Sequence, residues 1–141
     1  MNVSRSWPCV LVILLTGLVG CGGKNDATGP SNQPYTQTLG GTVSVFGSTY
    51  HPLTINRAGQ MTLVLTWADV AIDLDLYLAA ATCTTNLYPK ANCGIVLASD
   101  SSTGVRETIS RQVNSGETYT IWVDNLNQSR ATTYTLNLTI Q

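Results

Sequence analysis

Three aspartates close together, Asp69, Asp73 and Asp75, are the residues best suited to hold a ligand. Asp73 and Asp75 lie two apart in the run Ile72-Asp73-Leu74-Asp75-Leu76-Tyr77-Leu78, so on a strand both carboxylates leave the same face. With Asp69 just upstream, they offer three hard oxygen donors, the kind of set that Ca²⁺ takes. The spacing is not that of an EF-hand loop, and paired strand aspartates also cap turns or deter edge pairing. Asp124 is a weaker fourth candidate. Trp122 and Tyr77 fall on outward positions of their strands, with Tyr50 and Tyr88 expected in loops. Outward aromatic rings suit stacking on a sugar or a peptide, and the same rings also pack under long loops.

Material for catalysis is scarce. The single histidine, His51, precedes Pro52 and reads as a surface turn entering a strand. No Gly-x-Ser-x-Gly or His-Glu-x-x-His accompanies it. The polar run at residues 99–104 lacks the Gly-Lys-Ser/Thr ending of a phosphate-binding loop. No enzyme and no obligatory cofactor are therefore expected; calcium is the one candidate ion.

The elements that must position these side chains are strands. Met61-Thr62-Leu63-Val64-Leu65-Thr66-Trp67 puts Leu63, Leu65 and Trp67 on one face. The run from Ile72 turns four aliphatics inward and Asp73, Asp75 and Tyr77 outward. Thr118-Tyr119-Thr120-Ile121-Trp122-Val123 and Tyr134-Thr135-Leu136-Asn137-Leu138-Thr139-Ile140 alternate in the same way. Weaker strands fall at residues 42–46, 53–56, 95–98 and 107–113. Gly and Asn punctuate the gaps, and no window shows a helical period. Seven to eight short strands of this kind predict an all-β, antiparallel β-sandwich. The last strand carries no charge, so it must be paired on both sides.

The chain has 141 residues, 7 Lys plus Arg against 8 Asp plus Glu, and only 11% charged residues. So few cations cannot build a basic face, which excludes nucleic acid as the partner. Two lysines and abundant Thr, Asn and Gly exclude a coiled coil.

The N-terminus reads as an address. Arg5 precedes an apolar stretch, Val10-Leu11-Val12-Ile13-Leu14-Leu15 with Leu18 and Val19, too short for the ~20 residues of a membrane span. It ends in Leu18-Val19-Gly20-Cys21, which resembles the bacterial lipobox. That resemblance implies a signal peptide over residues 1–20 and a lipid on Cys21. Gly22 at the second mature position implies release towards the outer membrane of the cell envelope. The following residues hold no large apolar side chain up to Pro34, so residues 21–37 are expected to be the lipidated cysteine and a flexible tether. The folded part, residues 38–141, keeps Cys83 and Cys93. Two cysteines in an exported domain are expected to pair across a short loop rich in turn formers; a metal or redox pair is the other reading, without nearby His or further Cys.

Two stretches carry a family resemblance. Thr62-Leu63-Val64-Leu65-Thr66-Trp67 followed by Ile72-Asp73-Leu74-Asp75-Leu76-Tyr77-Leu78 resembles the core of the bacterial pre-peptidase C-terminal (PPC) domain. Glu107-Thr108-Ile109, Ser115-Gly116-Glu117-Thr118-Tyr119-Thr120-Ile121-Trp122-Val123 and Tyr134-Thr135-Leu136 are similar to its ending. The resemblance spans about residues 38–141. It implies a jelly-roll-like sandwich acting as a non-catalytic accessory or matrix-binding module, with calcium near the aspartates in some relatives. Such modules usually follow a protease; here none precedes the domain. The sequence thus predicts a lipid-anchored envelope module for a protein, peptide or matrix polymer, or alternatively a carbohydrate-binding module using Trp122 and Tyr77.

Overall fold

The computed structural model describes residues 33–84, 93–100 and 104–141. The expected signal peptide, Cys21 and most of the expected tether lie outside the described residues. Eight strands follow in order: β1 (Tyr35–Val43), β2 (Gly47–Thr54), β3 (Gly59–Trp67), β4 (Leu74–Ala80), β5 (Ile95–Ser99), β6 (Arg106–Val113), β7 (Thr118–Asn125) and β8 (Thr132–Ile140). They form two four-stranded antiparallel sheets, β1-β8-β3-β6 and β2-β7-β4-β5. Sequence neighbours thus sit mostly in opposite sheets, the strand order of a jelly roll.

Period-two alternation creates the layer between the sheets. In one sheet Leu63 pairs with Leu138 and Leu65 with Leu136; in the other Leu76 pairs with Val123 and Leu78 with Ile121. All eight are buried, together with Met61, Trp67, Leu74, Tyr119, Tyr134 and Ile140. Non-local pairing of this kind buries each side chain against residues far away in sequence, so no strand is stable alone. The uncharged β8 lies between β1 and β3, paired on both sides as its composition requires.

The first two strands depart from expectation. β1 begins at Tyr35, three residues before the expected start of the domain at 38, and β2 covers residues read as a loop. Both strands lie at sheet edges, where only part of one face is buried and the apolar signal thins. Pro52 fits there because β2 pairs only with β7, so the amide hydrogen it lacks is not missed on the open side.

Leu65→Ala and Leu136→Ala should each lower unfolding free energy by about 2–5 kcal/mol in a urea titration, since each empties a fully buried site. Thr135→Ala, an exposed position on the other face of β8, should change it by less than about 0.5 kcal/mol.

Candidate functional site

Tyr77 and Trp122 are directly opposite each other on β4 and β7, and Tyr50 of β2 continues the same row. All three point away from the interior, as alternation predicts, but Tyr77 and Trp122 do not reach solvent: they are 2% and 3% exposed. The chain leaving β4 folds back over this face. There Tyr77, Ala79, Cys83, Cys93 and Trp122 make a second small core. The Trp122 indole N–H donates to the Cys83 carbonyl at 3.0 Å, and the Thr120 hydroxyl donates to the Ala81 carbonyl at 3.3 Å. A disulfide joins Cys83 to Cys93, with Cα atoms 5.0 Å apart, and ties together the described part of this flap, residues 81–84 and 93. Trp122 and Tyr77 as an open stacking platform are therefore corrected: alternation sets which way a side chain points, and the connection folded above decides whether water reaches it. Tyr50 is a strand residue whose ring centroid lies 5.0 Å from that of Trp122, and it alone of the row stays exposed. Tyr88 lies outside the described residues.

The three aspartates are held in three different ways. Asp69 accepts from the Ala71 amide at 2.9 Å and pairs with the Arg130 guanidinium at 2.8 Å, and these bonds hold its carboxyl below the usual carboxylate range. Asp75 is buried and accepts from the Tyr77 hydroxyl at 2.8 Å. Asp73 is pushed upward by partial burial and then by the facing charge of Asp100. Among the described residues no three acids, histidines or cysteines come together as a metal cluster, so the expected convergence of Asp69, Asp73 and Asp75 is corrected. A two-residue spacing guarantees a shared face only within a strand; here Asp69 and Asp73 precede β4, which begins at Leu74.

His51 is not in a surface turn but within β2, facing inward, where its Nε2 lies 2.7 Å from the Tyr134 hydroxyl. Gly41 leaves room for that hydroxyl, since a Cβ there would lie 2.9 Å from it. Burial holds the imidazole below its ordinary pKa and the phenol above its own. Ser48 donates to Asp124 at 2.8 Å on the opposite side of β2, so no imidazole stands beside this hydroxyl–carboxylate pair. A hollow of about 280 Å³ beside the ends of β3 and β8 is lined by Thr66, Trp67, Ala68, Thr133, Tyr134 and Thr135, with no carboxylate or cation to act on a substrate.

What the tertiary structure gathers lies at one end of the sandwich. There the β1–β2 turn, the β3–β4 loop and the β7–β8 loop are tied by amide hydrogen bonds. The buried Asn125 donates to the carbonyls of Ser44 and Arg130, at 3.0 and 2.9 Å. Asn127 donates to the Ala71 carbonyl at 3.2 Å, and its own carbonyl accepts from the Phe46 amide at 3.1 Å. On these loops stand Val45, Phe46, Val70 and Leu126, all exposed, with Val70 at 83% and Phe46 at 63%. Phe46 has φ of 48°, a left-handed backbone that strains a bulky residue. The strand expected at residues 42–46 is corrected here: β1 ends at Val43, and Val45 and Phe46 belong to the turn before β2. The available signal was a large apolar residue inside segments otherwise built of turn formers.

No protein-family model matches the chain, and no curated protein matches it. Solved structures share the fold. A Yersinia pseudotuberculosis-derived mitogen superposes with a TM-score of 0.55 at 20% identity, covering 77% of this chain and 88% of that one. PliG of Aeromonas hydrophila, a periplasmic lysozyme inhibitor of g-type lysozyme, gives 0.53 at 14%, covering 75% and 86%. The pre-peptidase C-terminal domain of a Bacillus anthracis collagenase gives 0.52 at 14%, covering 73% and 88%. The chain therefore has a PPC-like β-sandwich fold.

Asn125→Ala should cost about 1–3 kcal/mol in urea unfolding, because two loop carbonyls lose their buried donor. His51 generates a pH dependence. Its folded pKa lies below the unfolded value near 6.5, so the unfolded chain binds the extra proton. The His51 contribution is thus complete above about pH 6.5 and is lost as pH falls through that value towards the lower folded pKa. Thermal melts from pH 7.5 to 5 should show this decline in wild type and a flatter profile in His51→Gln.

Proposed function

We propose that this chain is an exported, lipid-anchored binding module of the bacterial cell envelope, without catalysis of its own. The observation that carries the reading is the loop end, where Val45, Phe46, Val70 and Leu126 are held exposed on a hydrogen-bonded frame. Apolar side chains clustered on loops of a rigid scaffold are what recognition surfaces offer. Surface complementarity needs no cofactor. Export is supported by the Cys83–Cys93 disulfide, which persists in an oxidising compartment, and lipidation by the Leu18-Val19-Gly20-Cys21 sequence. A protein partner, rather than a polysaccharide, suits a surface of aliphatic side chains and one phenylalanine. That one fold neighbour inhibits a lysozyme and another is a mitogen supports the same choice.

Wild-type protein should sediment with membranes and yield a mature N-terminal peptide carrying diacylglycerol on Cys21, whereas Cys21→Ala should stay in the soluble envelope fraction. Amine crosslinking in intact cells should give a discrete larger species with wild type. A soluble wild-type protein with unmodified Cys21 and no crosslinked species would remove the reading.

A further inference from the structure

We infer that β1 docks a second copy of this chain. Two β1 strands pair antiparallel about a two-fold axis through Leu39, joining the sheets β1-β8-β3-β6 of two molecules into one. The starting observation is a difference among the four sheet edges. An edge strand offers unpaired amides and carbonyls, and natural sheets guard it with charge, proline, bulges or short length. β2 holds Pro52, and β5 is five residues long with a register shift in its pairing to β4. β6 carries Arg106, Glu107 and Arg111. β1 has none of these devices. Its nine residues run without proline or charge, and without a break in register against β8. The neighbouring edge adds no charge either: β1 and β2 flank the same side of the sandwich, and residues 35–54 contain no Asp, Glu, Lys or Arg.

The occupant follows from the symmetry of the strand. Residues opposed in an antiparallel pair share a face, so inward positions must meet inward ones. A two-fold axis at Leu39 meets that condition and pairs all nine residues. Leu39 meets its own counterpart, Tyr35 meets Val43 of the other copy, and Thr36 meets Thr42, a favourable cross-strand pair. Tyr35 and Leu39, which only partly reach the main core, gain cover. Thr38 and Gln37 lie beside Gly40 and Gly41, where Tyr134 leaves no room for a side chain: a Cβ would stand 3.1 Å from its carbonyl oxygen and 2.9 Å from its hydroxyl. No like charges meet across the axis. Other occupants fit less well. β6 of a second copy would set three charged residues against an uncharged strand, and such head-to-tail pairing runs on into a filament. An unrelated strand gains the backbone hydrogen bonds without the matched side chains. Pairing β1 with β1 leaves only guarded edges, so assembly stops at two. Nine residues a side is small against the roughly 20–30 of a standard interface, so the dimer is reversible. The contact runs along the side of the sandwich, not its loop end, and is independent of the binding-module reading.

The test uses the full chain in its host, with Thr38→Cys or Thr36→Cys and a short bismaleimide added to intact cells. In this register the two residues at position 38 lie diagonally across the axis, about 7–8 Å apart. The two at position 36 lie six residues apart along the strands, about 20 Å. Thr38→Cys should therefore give a species of twice the chain mass, about tenfold more than Thr36→Cys or the unsubstituted chain. Purified full-length protein in detergent should sediment as monomer and dimer in exchange. Thr38→Lys and Thr38→Glu should each lower the dimer fraction several-fold, and an equimolar mixture of the two should restore it. Both should melt with wild type, because position 38 is exposed, so a lost dimer is not a lost fold. Equal crosslinking at 36 and 38, crosslinking at neither, or a species of any other mass at 38 overturns the inference. So does a dimer fraction that Thr38→Lys leaves unchanged or that the mixture fails to restore. None of these results touches the lipid and partner tests of the binding-module reading.

Discussion

The apolar layer between the two sheets is the constraint on which everything else depends. β3 and β8 supply one side, β4 and β7 the other, and each buried leucine is covered by residues distant in sequence. Since strands in such a layer cannot slip by one residue without turning the whole apolar set outward, the register is held firmly. Fixed register in turn fixes which loops meet at each end. The β1–β2, β3–β4 and β7–β8 connections are neighbours because of the jelly-roll strand order, not because of anything in their own composition.

On that frame the two faces of the sheet β2-β7-β4-β5 have different fates. Its inner face joins the main core. Its outer face carries the row Tyr50, Trp122 and Tyr77, of which the flap leaving β4 covers two members. Below that row, Ser48, Asp124 and Asp75 also lie side by side, and each of these carboxylates accepts a hydroxyl donor. Burial of such groups is tolerated because the acceptors are hydrogen-bonded. Side chains that suit ligand stacking by their type and direction thus hold a flap and a sheet surface in place.

Much of the fold was legible in the alternation, and the candidate site was not. Leu63, Leu65, Leu74, Leu76, Leu136 and Leu138 lie where period two puts them, and the two-sided pairing of β8 followed from its lack of charge. The edge strands β1 and β2 are longer than their alternation suggests, because an edge needs fewer apolar residues to be stable in place. Nothing near His51 in the sequence marks it as inward-facing, because its partner, the Tyr134 hydroxyl, lies 83 residues away.

By itself the sequence determined the alternation, the class of fold and the two cysteines available to pair, because each depends on residues near one another or on side-chain type alone. Only the tertiary structure decided that Tyr77 and Trp122 lie under a flap, that Asp69 meets Arg130 rather than Asp73, and that Phe46, Val70 and Leu126 share one end. Those outcomes depend on which distant segments the packing of two sheets brings together. Solvent access and charge partnership are properties of that packing, and a one-dimensional pattern does not carry them.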